Sequence, residues 1–206
     1  RVIPVIEGIR AFSDIPLSVD TRKARVARTA FEAGADILND ISALADDEAA
    51  ALAAAESGAT VVLMHKRGAP ADMQLNPEYE NTLDEIINEL NEAVERALSA
   101  GIPNEKIIID PGIGFGKRHR DNLLILRNLD RFSRIGYPVL VGHSRKSFLE
   151  KITGRAVDGR LAASIAAGAA AQLRGAAILR VHDVAATVDA VRVIRAIEGA
   201  DAPWSG

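Results

Sequence analysis

Cysteine is absent from this chain, aromatic residues are few, and no apolar run is long. Without cysteine there is no disulfide, no thiolate nucleophile and no thiolate ligand for a metal, and such a composition fits a cytoplasmic protein. Aromatic residues make up only 4 % of the chain, so aliphatic side chains and alanine must fill the core. No apolar run approaches the roughly 18 residues that span a bilayer, so we expect no membrane partner.

Neither sign of charge dominates. The 25 lysines and arginines and the 28 aspartates and glutamates leave a formal net charge of −3, which gives no reason to expect nucleic acid as a partner. Hydrophobic residues are 48 % and charged residues 26 % of the chain, values typical of globular rather than disordered proteins. The length predicts one domain over residues 1–206, with a substantial core.

Six hydrophobic runs end abruptly in a polar or charged residue, and a helix-like pattern follows each one. The predicted strands lie near residues 16–20, 36–40, 60–65, 106–110, 138–142 and 177–181. The predicted helices cover residues 22–33, 45–56, 78–100, 121–132, 158–174 and 185–198. Buried strands with reactive groups at their C-terminal ends are typical of an α/β barrel, so the pattern predicts both the fold class and the place of the site.

The number of strand–helix units falls short of a complete barrel. A (β/α)8 barrel has eight units in about 250 residues, whereas this sequence shows about six, preceded by a helix-like segment at residues 2–12. The first residue is arginine. We therefore predict a TIM (β/α)8 barrel of which roughly two N-terminal units are absent from this sequence. An open doubly wound sheet of six strands is the alternative.

The densest motif is Asp110-Pro111-Gly112-Ile113-Gly114-Phe115-Gly116-Lys117, which follows the fourth predicted strand. Asp110 comes directly after three isoleucines, so we expect it partly desolvated at the mouth of the barrel. The alternate glycines, Gly114 among them, would let the backbone approach a ligand closely. The spacing matches neither a P-loop nor a dinucleotide fingerprint. A glycine-rich turn capped by the aspartate is the purely structural alternative.

Cationic side chains follow the last two predicted strands. Lys146 comes after the fifth strand, and Arg180 and His182 alternate in the sixth, so they would point to one face. Because burying unpaired charge is costly, an oxyanion such as phosphate explains them better than a structural ion pair.

Acceptor groups end three other strands. Asp20, Asn39 and Asp110 could each cap the following helix. Together with the cations, however, they would form a pocket with one acceptor-rich side and one cationic side. Such a pocket suits a ligand with a donor-rich heterocycle, for example an aminopyrimidinone, at one end and phosphate at the other.

The remaining basic residues have simpler interpretations. His65 ends a strand and could line the pocket, and His143 could shape a turn. The cluster Lys117-Arg118-His119-Arg120 is interpreted as a solvated face rather than a nucleic-acid site. No H-x-x-x-H or carboxylate cluster marks a zinc site, and no G-x-S-x-G marks a serine nucleophile.

Taken together, these motifs resemble dihydropteroate synthase, a pterin-binding family of folate biosynthesis. The matching segments, in the family's order and spacing, are Val19-Asp20-Thr21, Asn39-Asp40-Ile41, Leu63-Met64-His65, Asp110–Lys117, Gly142–Ser147 and Arg180–Val184. The resemblance implies a homodimeric (β/α)8 transferase. It would condense 6-hydroxymethyl-7,8-dihydropterin diphosphate with p-aminobenzoate to give dihydropteroate and pyrophosphate. Sulfonamides, which mimic p-aminobenzoate, inhibit this family.

By matching position, the resemblance also implies residue roles. The pterin would be held by Asp20, Asn39 and Asp110 and packed by Ile41 and Met64. The p-aminobenzoate pocket would be lined by Phe115 and Ser147, with Gly114 at the substrate and Lys146 bridging both sites. Arg180 and His182 would bind the diphosphate. The implied catalytic set is Asp20, Asp110, Lys146, Arg180 and His182.

The implied mechanism is dissociative. Diphosphate leaves first, and the resulting carbocation is conjugated with the dihydropterin ring. Arg180, His182 and Mg²⁺ stabilise the departing charge, while Asp20 and Asp110 favour the cation. The weakly basic arylamine then attacks. The family's Asn ligand for Mg²⁺, its two mobile loops and its Asn-x-Thr-x-Asp-Ser-Phe segment are not found in these 206 residues, so we expect no metal ligand in this chain.

Two other functions stay open. The chain could be the pterin-binding module of a corrinoid methyltransferase, although such a module is not expected to carry the Ser-Arg-Lys and Arg-x-His groups. It could also be a truncated pterin-binding fragment without catalytic activity.

Overall fold

The computed structural model describes residues 1–68 and 77–200. The strands are β1 (Ser18–Asp20), β2 (Ile37–Asp40), β3 (Thr60–Met64), β4 (Ile107–Asp110), β5 (Val139–Val141) and β6 (Ala176–Leu179). The helices are α1 (Ile3–Arg10), α2 (Ala24–Glu32), α3 (Glu48–Ser57), α4 (Thr82–Ser99), α5 (His119–Arg127), α6 (Leu129–Ser133), α7 (Ser147–Thr153), α8 (Leu161–Gln172) and α9 (Val184–Glu198). Single 3₁₀ turns lie at Asn104–Lys106 and Val157–Gly159.

All six strands belong to one parallel sheet in the order β1-β2-β3-β4-β5-β6. Each strand therefore pairs with the next one in the chain, and helices surround the sheet as a partial barrel. A doubly wound sheet would reverse its strand order at a switch point, so this order excludes the alternative topology. The predicted fold class, a barrel with about six units, is confirmed.

Local sequence signals explain where the helices begin and end. In α4, the buried residues Leu83, Ile86 and Leu90 recur at helical spacing, and the Asn81 side chain accepts a hydrogen bond from the amide of Asp84. The helix before β3 ends at Gly58, which adopts a left-handed conformation. Asp47 caps α3 through Ala49 and also accepts from the first amide of α2 at 2.8 Å. Asp47, not Asp20, therefore caps the start of α2.

The core is almost entirely aliphatic, as the composition predicts. It lies between the strands and the inner faces of the helices and includes Leu38, Leu63, Ile109, Ile125 and Leu129, all fully buried. The middle strands β3, β4 and β5 are buried along nearly their whole length, whereas β6 at the edge leaves Ala177 and Ile178 exposed. None of the described helices is long and apolar enough to cross a membrane.

Three helices differ from the sequence prediction. The segment predicted as one helix over 121–132 breaks at Asn128, whose backbone leaves the helical region and separates α5 from α6. The segment predicted as 158–174 begins with a 3₁₀ turn and becomes α-helical only at Leu161. Helix α7 was not predicted, because it has only seven residues and directly follows the polar run after β5.

Candidate active site

The predicted site residues lie at one edge of the sheet, where the C-terminal ends of the parallel strands meet. Asp20, Asn39, Met64 and Asp110 are in the last positions of β1 to β4 or next to them, and Lys146, Arg180 and His182 lie in the loops after β5 and β6. Register confirms this alignment, since Asp20 pairs with Asn39 and Met64 pairs with Asp110. The structure therefore brings together groups that are up to 162 residues apart in sequence (20 to 182).

Two of the three acceptor groups, Asn39 and Asp110, are buried at this edge, whereas Asp20 is about half exposed. Asn39 and Asp110 are each only 5 % exposed. The Asn39 side-chain amide donates to Asp20 Oδ2 at 3.0 Å, and Asp110 Oδ1 accepts from the amide of Gly112 at 2.7 Å. Burial raises the pKa of Asp110, against the opposing effects of the Gly112 amide and of nearby cations. A carboxylate and an amide are thus presented to a ligand from largely fixed positions.

The apolar residues expected at the pterin border these acceptors. Met64 ends β3 and is 4 % exposed. Ile41 lies in the turn after β2, and this turn is held by Asp40, whose Oδ1 accepts from both the amide and the hydroxyl of Ser42 at 2.7 Å. The turn carries two non-glycine residues with positive φ, Ala43 and Leu44, so the Asp40 contacts compensate for a strained backbone next to the site.

Residues 111–117, called the glycine loop below, cross directly over the segment that follows β3. Gly112 and Gly116 have φ of +69° and +62°, and a Cβ added to them would lie 1.9 Å from the carbonyl oxygen of His65 and 2.0 Å from that of Arg67. Glycine is required at both positions because the loop backbone packs directly on the backbone of the segment after β3 and leaves no room for a Cβ. At Gly114 a Cβ would meet Lys146 Cδ at 3.1 Å, so this glycine leaves room for the lysine.

Lys146 and Phe115 meet where the glycine loop faces the loop after β5. The Lys146 ammonium donates to the carbonyl oxygen of Ile113 and lies 4.6 Å from the centroid of the Phe115 ring. Burial lowers the pKa of Lys146 to about 8, although Asp110 acts in the opposite direction. Ser147 is the exposed first residue of α7, directly after Lys146. The residues expected at the p-aminobenzoate end are therefore neighbours.

Arg180 and His182 lie at the open end of the site. Arg180 Nη2 is 3.0 Å from Asp20 Oδ2, and both side chains are about half exposed. His182 Nδ1 is 3.0 Å from the Ser144 hydroxyl. The expectation that both alternate within the sixth strand is wrong, since β6 ends at Leu179 and both residues follow it. Loop contacts hold them instead, Arg180 at Asp20 and His182 at Ser144.

The loops after β5 and β6 are tied together by an ion pair. The Arg145 guanidinium donates to both carboxylate oxygens of Asp183, at 3.0 and 2.6 Å. This contact lowers the pKa of Asp183. Arg145 has a positive φ of 57°, and its amide donates to the Ser164 hydroxyl at 2.9 Å. Lys146 directly follows Arg145, and Arg180 lies three residues before Asp183. These two cations are therefore carried on linked loops.

A buried polar cluster lies beneath the glycine loop and was not predicted. Lys117 is only 3 % exposed, so its assignment to a solvated face is wrong, although Arg118 and Arg120 beside it are exposed. Lys117 contacts His65, and His65 Nε2 lies 3.0 Å from Glu89 Oε2. His65 therefore lies under the site rather than lining it. The signal in the sequence was the lysine that ends a glycine-rich loop, seven residues after Asp110.

The environment of this cluster shifts three pKa values. Burial first, and then the charge of Lys117, lower the pKa of His65 to about 4. Burial lowers the pKa of Lys117 to about 7. Contact with His65 lowers the pKa of Glu89 to about 2. Among the described residues there is no group of three or more His, Cys, Asp or Glu side chains that could hold a metal ion.

Comparison with known sequences identifies relatives of one kind. The family described as "Pterin binding enzyme" matches residues 1–182. The dihydropteroate synthase of Haemophilus influenzae is 44 % identical over 200 residues, which are 97 % of this chain and 72 % of that protein. A probable bifunctional folylpolyglutamate synthase/dihydropteroate synthase of Haloferax volcanii is 48 % identical over 193 residues. The alignment covers 94 % of this chain but only 23 % of that larger protein.

Solved structures agree with this relationship. The dihydropteroate synthase of Yersinia pestis in a sulfonamide drug complex superimposes with a TM-score of 0.94 at 39 % identity, covering 97 % of this chain and 73 % of that one. The synthase of Xanthomonas albilineans in complex with 7,8-dihydropteroate superimposes with a TM-score of 0.89 at 46 % identity. The match covers 96 % of this chain and 72 % of that one. The resemblance drawn from the motifs is confirmed.

Proposed function

Because the chain belongs to the pterin binding enzyme family, we propose that it acts as a dihydropteroate synthase. It would join 6-hydroxymethyl-7,8-dihydropterin diphosphate to p-aminobenzoate and release pyrophosphate. The observation that carries this proposal is the gathering, at one sheet edge, of buried acceptors, a lysine beside an aromatic ring, and an exposed basic pair. These three parts match the heterocycle, the arylamine and the diphosphate.

The pterin binds at the buried acceptors. Asn39 and Asp110 offer an amide and a carboxylate to the N–H-rich edge of the ring. Burial raises the pKa of Asp110, and donors on the ring return hydrogen bonds that the buried carboxylate otherwise lacks. Met64 and Ile41 supply apolar contacts on the same side.

The first chemical step breaks the bond between the pterin methylene carbon and the diphosphate oxygen. Arg180 and His182 face the leaving group, and their charge and hydrogen bonds stabilise the negative charge that develops on it. Asp20 contacts both Asn39 and Arg180. Its carboxylate therefore lies between the ring and the anion site, where it stabilises the positive charge left on the methylene and the ring.

In the second step the arylamine nitrogen forms a bond to the methylene carbon and then loses a proton. The nitrogen is a weak base, so the protein has to position it more than to activate it. Lys146 and Phe115 would hold the arylamine between the glycine loop and α7. With its pKa lowered to about 8, Lys146 is largely protonated at neutral pH and donates hydrogen bonds.

Mg²⁺ commonly keeps water and binds substrate phosphates with one or two carboxylates. We therefore propose that the Mg²⁺ implied by the resemblance would enter with the diphosphate.

The other functions are less well supported. A corrinoid methyltransferase module is not expected to carry the cationic groups at Lys146, Arg180 and His182, which this chain holds in one site. A non-catalytic fragment would bind pterin without turnover, and this remains the main competing proposal because the chain spans 72 % of the Haemophilus influenzae synthase.

We also propose that the protein is inhibited by sulfonamides, forms a homodimer and resides in the cytoplasm. Sulfonamide binding is supported by the drug complex of the Yersinia pestis synthase. A dimer is supported by exposed apolar residues: Ile152 on α7, Leu161 on α8 and Leu173 directly after α8. Light scattering and cell fractionation test the assembly state and the location.

Pyrophosphate release tests the proposed reaction. The assay uses this chain and a version extended at its N terminus to the length of the synthase relatives, each with both substrates and Mg²⁺. Release that requires p-aminobenzoate supports the synthase. Pterin binding without release from the chain alone would mark it as non-catalytic, and no release from either protein would contradict the proposed function.

A further inference from the structure

The Lys117 ammonium is held by three acceptors under the glycine loop. Its Nζ is 2.8 Å from His65 Nδ1, 3.0 Å from the carbonyl oxygen of Phe115 and 3.3 Å from that of His65. An ammonium has three donors and no acceptor, so these contacts satisfy it completely. One buried side chain therefore joins the glycine loop to the segment after β3.

His65 is oriented to accept this contact. Because Lys117 donates to Nδ1, the proton of a neutral His65 is on Nε2, which lies 3.0 Å from Glu89 Oε2. The pKa of His65, lowered to about 4 mainly by burial, keeps the ring neutral near pH 7. Glu89 is held in turn by Arg67. The chain of contacts from α4 to the glycine loop has no unpaired charge within it.

Further contacts fix the glycine loop on one side, and on its other side the loop contacts Lys146 at the arylamine end of the site. Tyr79 donates its hydroxyl hydrogen to the carbonyl oxygen of Gly116 at 2.7 Å, and Asn122 accepts from the amide of Gly114 at 2.6 Å. On its other side the loop offers the Ile113 carbonyl to Lys146 and the Phe115 ring beside the same ammonium. Displacement of the loop would move both groups that orient Lys146.

From this geometry we propose that Lys117 is a positioning residue that fixes the glycine loop and thereby orients Lys146 and Phe115 toward p-aminobenzoate. The identity of the substrate in this proposal rests on the proposed function, whereas the claim that Lys117 fixes the glycine loop does not. Lys117 does not line the site, and it acts through the Phe115 carbonyl. The charged groups around it are Asp110, Lys146, Glu89 and Arg67.

Replacement of Lys117 by methionine tests the proposal, because methionine keeps an unbranched apolar side chain but offers no donor. In the full enzyme, Lys117→Met should lower kcat/KM for p-aminobenzoate by about tenfold or more, as expected for lost hydrogen bonds from a charged donor. The KM for the pterin diphosphate should change by less than about threefold. Lys151→Met, an exposed lysine on α7, is the matched control and should leave both values within about twofold.

Tyr79→Phe gives a second, milder variant, should Lys117→Met not fold. It removes a single hydrogen bond to the same loop, at Gly116, and should lower kcat/KM for p-aminobenzoate by about two- to fivefold, in the same selective way. An equal loss for both substrates in both variants would show a general structural role and overturn the proposal.

Amide hydrogen exchange gives a readout that does not depend on turnover. The amides of Gly112 and Gly114 donate to the side chains of Asp110 and Asn122, and the amide of Phe115 donates to the Gly112 carbonyl oxygen. Lys117→Met should make these three loop amides exchange about tenfold faster or more. Unchanged exchange would overturn the proposal. If the unaltered full enzyme released no pyrophosphate, the proposed function would fail, while this exchange would still decide whether Lys117 fixes the loop.

Discussion

Asp110 in the middle of the sheet and Arg180 at its edge belong to one site, yet their surroundings differ. Asp110 is 5 % exposed and is surrounded by the glycine loop and its buried cluster. Arg180 is about half exposed, and its guanidinium contacts Asp20, which is also about half exposed. The buried side, where we propose that the pterin ring binds, is therefore preorganised by internal contacts. The side proposed for the diphosphate is held by fewer contacts and keeps its charge accessible.

This difference separates residues that contribute to both stability and binding from residues that contribute mainly to binding or catalysis. Groups in the middle of the sheet contribute to both folding and binding, because their contacts are buried and shared. Groups at the edge contribute little to folding, because exposed ion pairs are weak in water. The following substitutions test that separation, from the largest expected effect to the smallest.

Arg180→Ala should have the largest effect on turnover. In the proposed mechanism Arg180 stabilises the leaving diphosphate, so removal of its charge should lower kcat by roughly 10³-fold, about 4 kcal/mol. The melting temperature should shift by less than about 2 °C, since the side chain is largely exposed. Steady-state kinetics and thermal melts of this variant and of Arg195→Ala, on α9, give the two readouts. Loss of the folded state would assign Arg180 a structural role and remove the contrast.

Gly112→Ala should be strongly destabilising, because the new Cβ would lie 1.9 Å from the His65 carbonyl oxygen. We expect a loss of about 3 kcal/mol in the free energy of unfolding. Gly154→Ala is a matched control: its φ of +67° is nearly the same as the +69° of Gly112, but its Cβ would meet nothing within 4 Å. The control should lose only about 1 kcal/mol. Urea unfolding compares them, and equal losses would refute the close packing.

His65 should make the stability depend on pH. Its pKa is about 4 in the folded protein, against an ordinary value of 6.5. Between these values the unfolded chain binds more protons, so the folded state loses stability as pH falls from 6.5 to 4, by as much as roughly 3 kcal/mol.

Urea unfolding at several pH values measures this slope. His65→Gln should flatten the slope between pH 6.5 and 4. It also removes the main contact that lowers the pKa of Glu89, so the stability that Glu89 loses as pH falls from 4.5 toward 2 should become smaller as well. His119→Gln, outside the cluster, should leave the slope unchanged. A slope that survives in His65→Gln would assign it to other groups.

Asp20→Asn should have the smallest effect on stability. It weakens an ion pair between two half-exposed side chains, so the free energy of unfolding should change by less than about 1 kcal/mol. Turnover should nevertheless fall, because the proposed mechanism uses this carboxylate to stabilise the positive charge on the methylene. A large loss of stability would show that the edge is held as firmly as the middle.

The strands and the site were predictable from sequence because both depend on local signals. Each strand is a run of branched apolar residues that ends in a polar one, and parallel strands bring those ends together. Asp110 after three isoleucines therefore predicted both a buried strand and a buried carboxylate, which the structure places beside Met64 at the end of the neighbouring strand.

Features that depend on contacts between distant segments were not predictable. Lys117 looks like part of a charged surface run, and its burial becomes favourable only through the His65 ring nitrogen and the carbonyl oxygens of His65 and Phe115. The placement of Arg180 and His182 in the sixth strand was wrong, since the strand ends one residue before Arg180. Helix α7 is too short to give a clear periodic pattern.

Because each strand pairs with the next one in the chain, the sheet can grow in the order in which a ribosome releases it. Every new strand closes only a modest loop onto its predecessor, which keeps the entropic barrier to each addition low. The contact between Asp20 and Arg180, by contrast, spans 160 residues. During synthesis, the substrate-binding end is therefore completed only after the last strand has emerged and docked.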